Sequence, residues 1–517
     1  MKYQKIGVAL IMGIILANLS SCKKFLEEPT PQIDLPIDVI GEGTAGLDAA
    51  INGGWAYWTF NAAAAGNTTI YPEVMSDYVV ASGAQGGRIF NAYTRNFAVD
   101  GYDLIGEITQ RSSKAENLAN LVIQIANETP PKDLAWAKNG NRVKGEAYFL
   151  RGWVHWEYIL MMADSWNAKN VAANATARGP LLRFTPILSL DDLPQARTPL
   201  AAAYDSVIND LKIAEALLPT HYDATIHDVS FSARANKFAA AALLAKVYFQ
   251  KSDFANALIY ANKAIGSTIG ATTFPLTANP IDLYTRMGIT GTTNKATKGE
   301  VLLEYVAASK ISTRSGQQLN SAWTRTPTIG YYFGNYFKTL VGFNTTLDKR
   351  YLQLINPTFN QTFNSINHTG WATKKFPLDA NLVYIRSAEI LLMRAEINAR
   401  AGQLADALKD LNLVKQRAGL PAALITEFAT AKALINDIIR ERARELHAEG
   451  YRGHEIKRLG SLTDGDPDEV KFFKGDRSPL RDCGLNGLGC EDVKWNDSRL
   501  QFLIPPGETL VNPLGTN

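Results

Sequence analysis

Gly41-Glu42-Gly43-Thr44-Ala45-Gly46 matches the dinucleotide-binding fingerprint letter for letter. That chemistry needs a strand before the glycines, a helix after them and an acid about twenty residues on to hold the ribose. Ala62-Ala63-Ala64-Ala65 stands there instead, and no βαβ pattern surrounds the motif. The segment therefore reads as a loop opening the first helix. The chain has no P-loop, no Gly-x-Ser-x-Gly and no His-Glu-x-x-His. Its six histidines are scattered, and the two closest pairs, His221 with His227 and His447 with His454, lack the i, i+4 spacing of two ligands on one helix face. No metal site and no cofactor are expected. Glu441, Arg442, Arg444, Glu445 and Glu449 crowd one helical stretch. Ion pairing within and between helices accounts for that cluster better than acid–base catalysis, and no catalytic residue is assigned.

The elements around these residues are mainly helical. Val143, Ala147, Leu150, Val154 and Tyr158 recur at steps of three and four, as do Phe238, Ala242, Ala245 and Phe249, and Ile385, Ala388, Leu392, Ala395 and Ala399. Each set lies on one helix face. Two stripes belong to a repeat. Ala245 and Ala257 are separated by the same interval as Ala395 and Ala407, with Ser252-Asp253 and Gly402 at the turns. Small residues at this spacing resemble a tetratricopeptide helix pair, whose antiparallel helices approach closely. Stretches around 143–160 and 202–218 fit a third pair across a long insertion. The expected fold is mostly α, a tetratricopeptide-like helical-repeat scaffold broken by inserts. Residues 266–380, rich in Thr, Asn, Gly and aromatics, read as loops, short helices and a few strands; inserts this long are uncommon unless functional.

The first residues form a targeting segment. Lys2 and Lys5 precede an uncharged, mostly apolar run from Ile6 to Leu19, too short to span a bilayer. It ends in Leu19-Ser20-Ser21-Cys22, which resembles a bacterial lipobox, so Cys22 is the expected lipidation site. Only Cys483 and Cys490 remain. A disulfide closing their Gly-rich loop fits an oxidising compartment, whereas two thiols without a nearby His do not complete a zinc site. The divisions are a signal peptide 1–21, a tether 22–40, a helical-repeat region 41–265, a loop-rich ligand-side insert 266–380, a second helical-repeat region 381–460 and an irregular segment 461–517. The balance of 53 Lys+Arg against 50 Asp+Glu gives no electrostatic footprint for nucleic acid.

Five blocks, taken in order, resemble the SusD/RagB family: VKGEAYFLRGWVHWEYILMMADSW (143–166), ALLAKVYFQKSDFANALIYANKAI (242–265), YIRSAEILLMRAEINARAGQLADALKDLNLVKQRAGL (384–420), IIRERARELHAEGYRGHEIKRLG (438–460) and FLIPPGETLVNP (502–513). One departure is GHEIKRLG, where the family usually has an aromatic and Asp-Leu. The resemblance implies a cell-surface lipoprotein anchored in the outer membrane. It would capture oligosaccharides and pass them to a SusC-like TonB-dependent transporter, without being an enzyme. Peptide capture, or a structural transporter lid with no ligand of its own, are the alternatives.

Pyranose rings present weakly polarised C–H groups that suit aromatic faces. Among 9 Trp and 20 Tyr, those in helical stripes such as Trp153 and Tyr248 read as core. Trp323, Tyr331 and Tyr332 in SAWTRTPTIGYYFGNY, and Arg88, Asn91 and Tyr93 in SGAQGGRIFNAYTRNF, lie outside those stripes. The resemblance points to loops from these two parts of the chain, so these six residues are the candidate ligand contacts, with Trp371 a further one.

Overall fold

The computed structural model describes residues 40–60, 64–81, 88–95, 104–222, 232–285, 299–305, 314–324, 329–363, 366–377, 380–462, 472–473, 493–512 and 514–515. Cys22, Cys483 and Cys490 lie outside them, as do residues 1–39, where the signal peptide and tether are expected.

The frame is a succession of packed helices, so the fold is mostly α. α1 (Thr44–Trp55) packs on α4 (Leu104–Glu128) and α5 (Leu134–Met162). From α4 the packing runs on through α5, α6 (Leu200–Leu217), α7 (Lys237–Gln250), α8 (Phe254–Ile265), α12 (Ser387–Arg400), α13 (Leu404–Arg417) and α14 (Ala431–Leu446). The fingerprint glycines open α1. Gly43 is its N-cap, no strand precedes it among the described residues, and a Cβ on Gly46 would come 2.5 Å from the Ile40 carbonyl oxygen.

α7–α8 and α12–α13 are the two helix pairs expected from the alanine spacing. Ala245, Ala257, Ala264, Ala395 and Ala407 are fully buried at the crossings. Asp253 caps α8 by accepting the Asn256 N–H at 3.2 Å, and Gly402 turns the chain at φ 77°. α5 and α6 form the third pair. The first and last pairs share a buried fork: Arg151 on α5 grips Asp210 on α6 through two bonds of 2.7 Å, and Arg394 on α12 grips Asp410 on α13 at 2.7 and 2.9 Å.

Between α8 and α12 the chain builds β2 (Val301–Tyr305), α9 (Arg314–Trp323), β3 (Tyr331–Phe333), α10 (Asn335–Leu340), α11 (Lys349–Leu354), β4 (Ile355–Phe363), β5 (Ile366–Thr373) and β6 (Leu382–Arg386). β1 (Val79–Ala81), which follows α2 (Ala64–Val74), joins β3, β5 and β4 in a four-stranded sheet of order β1-β3-β5-β4, while β2 pairs antiparallel with β6.

A buried ion network fastens these strands to the frame. Arg386, at the end of β6, meets Glu300, Glu445 and Glu449; Arg350 on α11 meets Asp348, Glu441 and Glu445; Arg417 on α13 meets Glu300 and Glu445. Arg444 pairs with Glu441, and Arg442 with Glu455 on α15 (Arg452–Gly460). Every charge of the 441–449 cluster is thus engaged in ion pairs. The chain closes with β7 (Phe472–Phe473), β8 (Val493–Lys494) and α16 (Pro506–Val511); Phe502 N–H bonds the Met161 carbonyl at 2.9 Å, laying the last described segment on the end of α5.

Candidate functional site

The two stretches nominated from sequence do converge. β1 leads towards α3 (Arg88–Thr94), and its register with β3 sets Val79 against Phe333, Val80 against Tyr332 and Ala81 against Tyr331. Tyr331 lies 6.0 Å by ring centroids from both Tyr93 and Trp323. The rings are packed rather than presented. Trp323 and Tyr331 are 0% exposed, and Tyr93 and Tyr332 are buried. Strand pairing is the reason: it turns Tyr331 and Phe333 inward, where Phe333 stacks on Trp323 at 5.8 Å, and packs Tyr332 against Phe359. Asn91 is half-buried on α3, and Arg88 is that helix's first residue. Trp371, half-buried on β5, carries Lys338 Nζ 5.6 Å from its ring centroid. The rings of Tyr93, Trp323, Tyr331 and Tyr332 therefore do not form an open aromatic platform.

An open pocket of about 230 Å³ lies beside them, between α1 and the β2–β6 pair. Its walls are Asn52 and Trp55 from α1, Ala56 and Thr59 from the π-helical turn Ala56–Phe60, Glu304 and Tyr305 from β2, and Tyr384 from β6. The aromatic rings Trp55, Tyr305 and Tyr384 are only half-buried. Two departures from regular backbone aim them. A π-helical turn continues α1, and such turns concentrate at functional sites. In the β2–β6 ladder, Leu303 pairs with Ile385 but Glu304 pairs with Val383, which leaves Tyr384 as the extra residue of a bulge.

The pocket's polar groups are held in place. Glu304 accepts from Ser232 Oγ at 2.8 Å and Asn381 Nδ2 at 3.2 Å, while Trp55 Nε1 and Tyr384 Oη are buried with no hydrogen-bond partner. Burial raises the Tyr305 and Tyr384 phenols above their ordinary range, so both stay neutral donors. Trp153 supports the rings from behind, edge-on to Trp55 at 5.9 Å and to Tyr384 at 5.3 Å. α9, which carries Trp323, packs against the π turn.

Trp153 Nε1 donates to Glu157, one turn on, at 3.2 Å. Burial pushes the Glu157 carboxyl up to about 7, against the pull of that bond and of Lys246. An acid with a raised folded value destabilises the fold once pH exceeds its unfolded value near 4.5, and the full cost is reached above the folded value. Glu157→Gln should therefore raise stability by about 3 kcal/mol at pH 8 and by nothing below pH 4.5. Denaturant midpoints for both proteins across that range test it, and a pH-independent difference would refute the assignment.

Among the described residues no group of three or more His, Cys, Asp or Glu is placed to hold a metal ion, and no helix is long and apolar enough to cross a membrane. His447 packs against Phe333 and bonds the Arg444 carbonyl oxygen at 2.8 Å.

Comparison with known proteins identifies the frame. The model of the SusD family matches residues 323–477, and a model described as starch-binding, associating with the outer membrane, matches 117–249, together more than half of the chain. No curated sequence matches. Solved structures with the same fold include a SusD superfamily protein of Bacteroides thetaiotaomicron (18% identity, 93% of this chain and 99% of that one, TM-score 0.72). Another is a SusD superfamily protein of Bacteroides vulgatus (18%, 91% and 98%, 0.71). A SusD-like carbohydrate binding protein of Bacteroides vulgatus is also similar (18%, 91% and 97%, 0.70). With both family models lying on the helix pairs and ion network described above, the chain belongs to the SusD family.

Proposed function

We propose that this protein is an outer-membrane, cell-surface lipoprotein, acylated at Cys22, that captures oligosaccharides and hands them intact to a SusC-like TonB-dependent transporter. The reading rests on the family and on one observation: half-buried Trp55, Tyr305 and Tyr384 line an open pocket built at a π turn and a β-bulge. Aromatic faces receive the C–H faces of a sugar ring, and Asn52, exposed on α1, offers partners to its hydroxyls. Trp323, with Tyr331 packed on it and Tyr93 on Tyr331, then supports the π turn from behind. Binding and hand-off require no covalent step, so no catalytic role is assigned.

Loss of one stacking ring should weaken binding about tenfold, the equivalent of about 1.4 kcal/mol. Trp55→Ala and Tyr305→Ala are therefore expected to raise the Kd for the glycan by about that factor in isothermal titration. Trp323→Ala should act mainly through stability. Unchanged affinity in both pocket variants would remove the pocket from the account. A response to a peptide mixture, with none to glycans, would favour the peptide-binding alternative.

A further inference from the structure

The interior behind the pocket contains a second cavity, of about 140 Å³, enclosed by α5, α7, α12, β6 and the α14–α15 turn. α12 and the middle stretches of α5 and α7 that face this cavity are buried almost throughout. Between Gly145 and Ala163 only Glu157 is half-buried rather than fully buried, and between Ala239 and Phe249 only Lys246. Both line the cavity, and Gln250 joins them one turn beyond Lys246. A charged side chain in the middle of a buried helix is costly unless something answers it.

The other charges on this cavity are answered within the protein. Lys246 Nζ pairs with Glu389 at 3.0 Å, Arg442 with Glu455 at 2.9 Å, Arg458 with Glu396 at 2.8 Å, and Glu449 with Arg386 and Lys375. Burial keeps His454 neutral, and its Nδ1 has no partner. Glu157 is the exception. One carboxylate oxygen takes the Trp153 N–H, and among the described residues Glu157 forms no direct ion pair; Lys246, held by Glu389, acts on it only from beyond ion-pair distance. Trp153, Trp156 and Tyr384 are among the cavity's walls. A carboxylate without a direct ion pair, in a cavity walled by aromatic rings, has the composition of an ammonium site, where charge pairing and cation–π attraction act together.

We propose that this cavity binds a small organic cation, with its ammonium group on Glu157 and its body against Trp153, Trp156 and Tyr384. Tyr384 lines both this cavity and the outer pocket, so displacement of that ring is the route in. The ammonium group is the recognised chemistry, and either a free alkylamine or an amino sugar carries it. The inference does not depend on what the outer pocket binds.

The test uses the folded mature protein carrying Trp55→Ala, which weakens the outer pocket at a residue that does not line the cavity. It is titrated calorimetrically at pH 8 with ethylammonium chloride, glucosamine and, as the neutral counterpart, N-acetylglucosamine. At least one of the two amines should bind, with N-acetylglucosamine at least tenfold weaker. Adding Glu157→Gln should weaken the amine at least tenfold. Binding of glucosamine alone assigns an amino sugar, and binding of ethylammonium as well shows that the amine suffices. Absence of amine binding across the millimolar range, equal binding of N-acetylglucosamine, or amine affinity unchanged by Glu157→Gln would each overturn the proposal. If the double variant does not fold, the comparison of amine with neutral sugar in the Trp55→Ala protein decides alone.

Discussion

Glu445→Ala should cost about 3–5 kcal/mol of stability, the usual effect of removing one partner from a buried ion cluster. Its carboxylate meets Arg386, Arg417 and Arg350, and its backbone carbonyl accepts from Arg386 and Lys375 at 2.9 and 2.8 Å. All three guanidiniums are nearly inaccessible, so truncation leaves positive charge buried without its counter-charge. Burial alone would raise the Glu445 carboxyl; the three arginines instead hold it well below the usual carboxylate range. Arg386 and Lys375 likewise hold Glu449 down to about 2 against the push of burial. A depressed acid stabilises the fold above its unfolded value near 4.5 and loses that contribution as pH falls towards the folded value. The cost of Glu445→Ala should therefore shrink in acid. Denaturant titration at pH 7 and pH 3 measures both effects. A loss under about 1 kcal/mol at pH 7 would mean that Glu300, Glu441 and Glu449 balance the arginines unaided.

Asp410→Ala is the second large effect, again about 3–5 kcal/mol. Arg394 and Asp410 are both fully buried at the crossing of α12 and α13, and Asp410 also accepts the Gly270 N–H at 2.9 Å. Arg394 would keep the contacts of its two Nη groups to the Gly266, Thr268 and Ala271 carbonyls, but its Nε–H would lose Asp410 and its charge would go unanswered. Because Asp410 ties the segment after α8 to α13, amide exchange should quicken around Gly270 as well as within the pair. An equal loss from Asn262→Ala, which removes a neutral acceptor of Arg394, would show that hydrogen bonding rather than charge governs the site.

Local periodicity carried the helix pairs because their stripes are nearly pure, as the alanines at α7–α8 and α12–α13 illustrate. It missed α4. The stripe of Ile105, Ile108, Ala115, Ala119 and Val122 is broken by buried Ser112, Glu116 and Asn120. Each finds its partner on α5, in Tyr158 at 2.8 Å, His155 at 2.7 Å and Arg151 at 3.0 Å. Nothing local distinguishes such residues from a solvated face. The Arg–Asp forks went unread for the same reason.

The pocket was less legible than the frame. Aromatics outside helical stripes were the reasonable candidates, yet β1–β3 pairing folds Trp323, Tyr331 and Tyr93 inward. Trp55, Tyr305 and Tyr384 carry no local mark that sets them apart in the sequence. Their exposure follows from a π turn and a bulge, which change the direction of a side chain without changing composition. The nearest sequence signal is Gly53-Gly54 before Trp55. A Cβ on Gly54 would lie 2.7 Å from Leu150 Cδ2, so the pair marks the close approach of α1 to α5 from which the π turn departs.

Calorimetric titration of the folded mature protein with a panel of oligosaccharides, followed by chromatography of the recovered sugars, tests the account most directly. At least one glycan should bind saturably, lose affinity about tenfold on Trp55→Ala and be recovered at its original length. Shortened sugars in the recovered material, or no response to any glycan, would contradict it.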